Sequence, residues 1–169
     1  MTLKVIHWST AVLYWVFQFL GGLVAGAFIY IQTPDSMFKD LKRMNGLGLP
    51  KPDQRFIAAS IYCEIIAAFM FQFSLMSLYL DKRAPKDVYA LGVGGMMALA
   101  TLTIGKLSGG GMNPARSIGP AIISGNLSFD LLVFVGGPLF GSYFATFLYK
   151  EIFMKKSKSF EKITQKSQI

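Results

Sequence analysis

Residues 109–121 read GGGMNPARSIGPA, and the placement of this stretch decides the fold. Three consecutive glycines, the pair Asn113-Pro114 and Arg116 lie between two strongly apolar segments. Asn113 followed by Pro114 is a helix start. Asparagine caps the first amides, and proline at the first helical position lacks only an N–H that has no intrahelical partner. The pattern predicts a short helix over Ala115–Ile123, stopped by Ser124-Gly125. The whole segment 106–129 is too short to cross a bilayer and return as two helices, and too apolar for a surface loop. A segment that enters the membrane and leaves on the same side fits both facts. Non-helical backbone persists at that depth only where it faces protein or water. The glycines therefore point to a wet cavity.

Outside this stretch the chain reads as membrane-spanning. Of its 169 residues 53% are hydrophobic and 15% charged, against about 25% charged in a soluble domain. Few charges fall within 10–32, 56–80, 88–105 or 129–149, and each run is long enough to cross a ~30 Å hydrocarbon core as a helix. The expectation is an all-α membrane protein, a bundle of four transmembrane helices plus one re-entrant half-helix at 109–123. The membrane domain spans 1–154 and a basic cytoplasmic tail covers 155–169. The apolar run after Lys4 is longer than a signal-peptide core, so it reads as a retained span.

Charge and rare residues narrow the function. Ten of the 17 lysines and arginines fall on the side that holds both termini, which places both ends in the cytoplasm. The net charge of +8 lies in loops and tails, where it suits anionic lipid headgroups rather than nucleic acid. With one cysteine, Cys63, and one histidine, His7, no intrachain disulfide, metal site or cofactor is expected. No general base or nucleophile stands beside the odd segment, so an enzyme is not expected.

The chemistry of 109–116 suits passage. A half-helix beginning mid-membrane aims its free N–H groups and positive dipole end at the cavity. Arg116 projects from the same face as Asn113, one turn on. The carbonyls of Gly109, Gly110 and Gly111 can line a narrow path. Acceptors, an amide, a dipole and a fixed cation together suit a file of small neutral molecules while repelling cations and interrupting a proton relay. Glu64, inside the second span, has two readings: a proton-coupling site, or a structural acceptor for backbone N–H groups of the glycine segment. The irregular loop needs such acceptors, which favours the second. Gly21 and Ala25 in the first span, and Gly137, Gly141 and Ala145 in the last, recur at four-residue intervals that allow close helix packing. An offset of 120 lays Gly21 on Gly141 and Ala25 on Ala145, which hints at an internal repeat.

SGGGMNPARSIGPA (108–121) resembles the second signature loop of the aquaporin (major intrinsic protein) family. YWVFQFLGG (14–22) resembles the family's third span, EIIAAFMFQF (64–73) its fourth and VGGPLFGSYFATFLY (135–149) its sixth. The resemblance implies an aquaporin-like bundle from the third to the sixth span, with Asn113, Pro114 and Ala115 as the second Asn-Pro-Ala element. Arg116, Gly110 and Thr101 take three of the four positions of the selectivity constriction. The family's first two spans and first Asn-Pro-Ala loop have no counterpart, so the start of the chain looks like internal sequence exposed by truncation, with a fragmentary gene model, a split gene and a genuine half-protein as the alternatives. A passive water channel, homo-tetrameric when complete, is the implied function. Small Thr101 and Gly110 also admit urea, ammonia or hydrogen peroxide, while Ser117 stands where glycerol-conducting members usually carry aspartate. A non-conducting subunit that modulates complete channels, and a secondary transporter, are the alternatives. A lone half-helix leaves its dipole unopposed and one pore wall open to lipid. Liposomes carrying purified 1–169 should therefore shrink no faster than empty ones after an osmotic step, as read by light scattering; fast shrinkage with a low activation energy would refute this.

Overall fold

The computed structural model describes residues 6–33, 48–52, 54–81, 83–85 and 87–154. The basic tail 155–169, the loop residues 34–47 and the charged residues Lys4, Lys82 and Lys86 lie outside the described residues. Among those described there are five α-helices and no strand: α1 (Trp8–Gln32), α2 (Ile57–Leu75), α3 (Tyr89–Ile104), α4 (Pro114–Ser124) and α5 (Leu131–Leu148). A 3₁₀ turn, Gln54–Phe56, leads into α2. Helix α2 continues as a π-helical turn over Met76–Leu80 and α5 as another over Tyr149–Met154. His7 caps α1, its ring Nδ1 accepting the Ser9 N–H at 3.4 Å.

Three helices, 8–32, 57–80 and 131–154, are long and apolar enough to cross a bilayer. The third apolar run, read from the sequence as a span over 88–105, forms the shorter α3 of 16 residues, about 24 Å long. It stops because the chain turns at once: the N–H groups of Leu107 and Ser108 both donate to the Ile104 carbonyl. That turn delivers the chain into the glycine segment.

Lipid offers no hydrophobic drive for helix pairing, so close backbone approach must supply it. Helices α2 and α5 run side by side in the same direction. Gly137 meets Glu64 and Ile61, and Gly141 meets Ile65 and Phe69 one turn on. Any side chain at Gly141 would drive into the Ile65 carbonyl. Ala145 is fully buried, and the Gln72 amide donates to the Thr146 hydroxyl at 3.3 Å.

The α1–α4 contact does not run through Gly21 and Ala25. Gly22 and Gly26 make the approach instead. A Cβ on Gly22 would stand 2.5 Å from the Ala115 carbonyl oxygen, and one on Gly26 would stand 3.0 Å from Pro120 Cα. A Cβ on Gly119 would lie 2.6 Å from the Gly22 carbonyl oxygen. Gly21 faces open space and Ala25 is exposed. The physical reason is that GGLVAG (21–26) carries two overlapping four-residue registers. Spacing alone does not choose between them; the position of α4 does. Both pairs of contacts advance together, so the two helices run parallel. Gly22 lies near the middle of α1, so α4 begins at mid-height and accompanies only its second half.

At the other end of the bundle, Asp81 ties the connection after α2 to α5. It accepts bonds from Arg83 Nε at 2.9 Å and Nη2 at 2.6 Å, and from the Tyr149 hydroxyl. The Arg83 guanidinium holds the Asp81 carboxyl well below the usual carboxylate range.

Overpacking a backbone-to-backbone contact costs roughly 1–3 kcal/mol. Gly119→Val should therefore lower the melting temperature in detergent by several degrees, whereas Gly21→Ala should leave it unchanged. Equal effects at the two positions would reject the register.

Candidate functional site

The glycine segment is held from α2. Glu64 is fully buried, and its carboxylate accepts every hydrogen bond it makes among the described residues. Oε1 takes the Ser108 hydroxyl at 2.6 Å and the Gly111 N–H at 2.8 Å; Oε2 takes the Met112 N–H at 2.6 Å. One turn earlier on α2, the buried Ser60 hydroxyl donates to the Leu107 carbonyl at 2.9 Å. The Ser108 hydroxyl in turn accepts the Gly110 N–H at 3.2 Å. Met112 is drawn into the left-handed region at φ 49°, beside Gly109 at 89° and Gly110 at 65°. A carboxylate with two oxygens can satisfy adjacent N–H groups that no helix or sheet reaches, and buried backbone donors left unpaired are costly.

Past that anchor the chain starts α4. Asn113 Oδ1 accepts the Ala115 N–H at 2.9 Å, which leaves its NH₂ donors for the surroundings. Pro114 occupies the first helical position. The helix ends in a left-handed cap at Gly125, φ 67°. There the Asn126 N–H reaches the Ala121 carbonyl and the Gly125 N–H reaches Ile122, the paired pattern that satisfies terminal carbonyls.

A groove of about 460 Å³ opens along the α1–α4 contact. Asn113, Ala115, Arg116 and Pro120 border it from α4; Gln18, Gly21 and Ala25 border it from α1. Arg116 is exposed to this space, and its Nη1 donates to the Gly48 carbonyl at 3.0 Å. The amino end of α4 and one guanidinium therefore share an open groove at mid-height of the longest helix.

The remaining expected residues lie elsewhere. Gly110 sits against Thr101, with an added Cβ 3.5 Å from Thr101 Cγ2, and neither borders the groove. Gly109 is covered by Pro50 and Lys51, and Gly111 by Phe134. The Gly111 carbonyl, expected to line the path, is engaged within the turn. Its oxygen accepts the Asn113 N–H at 2.6 Å, because the turn closes once Glu64 draws the neighbouring amides inward. Sequence reasoning missed Ser60, Gly48 and Gln18. Ser60 had a readable signal, a polar residue four before Glu64 and hence on the same helix face. Gly48 acts through its carbonyl across a long loop, which leaves no such trace.

The fold and groove define a class: an all-α integral membrane protein in which a half-length helix presents its amino end to an open groove beside α1. The family model for Major intrinsic protein matches residues 1–149, and the chain belongs to that family. It is 32% identical over 149 residues to the probable aquaporin NIP-type of Nicotiana alata, covering 86% of this chain and 50% of that protein. It is 30% identical to aquaporin NIP2-1 of Zea mays, covering 94% and 50%. The match to aquaporin-4 of Mus musculus is 32% identical, covering 86% and 43%. The chain spans about half the length of these relatives.

Glu64→Ala strands two buried amides, each worth roughly 1–3 kcal/mol. It should abolish a cooperative thermal transition or lower its midpoint sharply. Glu64→Gln keeps the shape but turns an NH₂ toward one donor, so it should fall between alanine and wild type. A glutamine variant as stable as wild type would show that the acceptor pair is not needed.

Proposed function

We propose that this chain forms part of a passive transmembrane path for water in which the α1–α4 groove is one wall. The observation that carries this reading is the start of α4 at mid-height, with Asn113 and Arg116 both bordering the groove. A helix amino end and a fixed guanidinium make the path hostile to cations, and they orient a permeant molecule to accept rather than relay hydrogen bonds. Protons and cations are excluded on the same grounds. Glu64 serves as the structural acceptor of the glycine segment rather than as a coupling-ion site: all three of its bonds are donated to it by that segment. The names of the relatives, all aquaporins, favour a channel over an enzyme or a coupled transporter.

Thr101 on α3 and Gly110 on the glycine segment meet away from the α1–α4 groove, and we assign them with Arg116 to selectivity. Their small size extends the proposal to urea, ammonia and hydrogen peroxide. The complete channel is proposed to be a homo-tetramer in the bilayer with both ends cytoplasmic. A second reading, a non-conducting subunit that assembles with complete channels, is favoured by α1, which is exposed along almost all of its length away from α4.

Arg116→Ala separates the two readings. In a chimaera that joins the amino-terminal half of a relative to this chain, wild type should pass water without ions, and the variant should gain a measurable cation or proton leak. Unchanged selectivity would reject the channel role of Arg116 and favour the subunit reading.

A further inference from the structure

Met112 is the only non-glycine among the described residues whose φ lies in the left-handed region, at 49°. The Asn113 N–H closes back on the Gly111 carbonyl at 2.6 Å, so Met112 is the central residue of a three-residue turn. With a positive φ at its centre, this is the rare and strained form of that turn. Glycine adopts such a backbone at no steric cost, and the chain places glycine at 109, 110 and 111. At 112 it places a long side chain instead.

That side chain has a seat. Met112 is buried and packs in one cluster with Ala67 of α2 and with Ala100 and Ile104 of α3, while Cys63 lies against it. The two alanines leave the room, and a flexible thioether suits an irregular gap between helices. The same residue is held through its backbone, where its N–H donates to Glu64 Oε2 at 2.6 Å. Two ties of different kinds, one polar and one apolar, therefore fix the residue that precedes Asn113. Asn113 is then left little freedom: its N–H is used in the turn, and its Oδ1 accepts the Ala115 N–H at 2.9 Å. The turn thereby sets where the carboxamide is presented.

We propose that Met112 is a positioning residue for Asn113. Its side chain is a peg between α2 and α3 that holds the strained turn, and the turn aims the carboxamide that caps α4. Glu64 holds the turn by its amides and the peg holds it by a side chain, so neither tie substitutes for the other. The importance of the peg for passage rests on the reading of Asn113 as a residue of the path; the placement of the carboxamide does not.

The Ala115 amide proton reports its bond to Asn113 Oδ1 through its NMR shift, read on the full chain in lipid nanodiscs. Asn113→Ala removes the acceptor and marks the unbonded position of that signal. Met112→Gly suits the φ of the turn but removes the peg, so the Ala115 signal should move most of the way to the unbonded position. Met112→Leu keeps an apolar side chain of similar volume and should leave the signal in place. Met112→Ala gives the same comparison as Met112→Gly where the latter yields no folded protein. Ala67→Met combined with Met112→Gly refills the cluster from α2, and should recover most of the lost melting temperature without returning the signal. Recovery of both, or a signal unmoved by Met112→Gly, would overturn the proposal by showing that Met112 only fills space. A signal displaced by Met112→Leu would overturn it as well. None of these readings needs conduction, so failure of the path reading, seen as absent water flux in the chimaera, is separate from failure of the peg.

Discussion

A carboxylate buried among helices is the constraint on which the rest of this molecule depends. Residues 110–112 lie between α3 and α4 outside helix and sheet, and their amides turn to side chains instead of backbone partners. Glu64 meets two of those amides and one hydroxyl with its two oxygens, and Ser60 adds a fourth tie one turn away. With the segment fixed to α2, the direction in which α4 departs is also fixed. Asn113 and Pro114 then convert that direction into a helix start at the depth where α1 has its glycines. Folding and polarity are coupled here: the same charge that would be costly in lipid is what allows a polar backbone to exist within it.

Two helix contacts transmit this arrangement outward, and they use the same means. Helices α2 and α5 meet through Gly137 and Gly141, and α1 and α4 meet through Gly22, Gly26 and Gly119. In each case backbone touches backbone, which suits a setting where apolar side chains gain nothing by leaving lipid. Arg116 is steadied separately by the Gly48 carbonyl, so the loop ahead of α2 contributes to the groove although it is distant in sequence. The Asp81–Arg83–Tyr149 cluster plays the matching part at the far end, where it fastens the connection after α2 to α5.

Much of this was legible in the sequence, and the limits of legibility have physical causes. The spans followed from long uncharged runs, and the ends of α4 from Asn113-Pro114 and Ser124-Gly125, because capping and proline chemistry are local. Glu64 could be read as an acceptor because an intramembrane carboxylate needs donors and the glycine segment needs acceptors. Helix α3, expected over 88–105, runs from 89 to 104, and the turn at 105–108 that follows is set by where the glycine segment must go rather than by a loss of hydrophobicity. The register of Gly21, Gly22, Ala25 and Gly26 was not legible at all, because both pairings have the same period and only the partner distinguishes them.

That doubled register has a consequence for how such a protein can change. Gly22 and Gly26 bear cohesion, while Gly21 and Ala25, one position earlier on the same helix, border the open groove. Each member of the second pair can grow without separating the helices that the first pair joins. Groove shape and fastening are thereby under independent genetic control on a single turn-and-a-half of one helix. A lineage could retune what fits beside α4 by single substitutions that leave the scaffold intact.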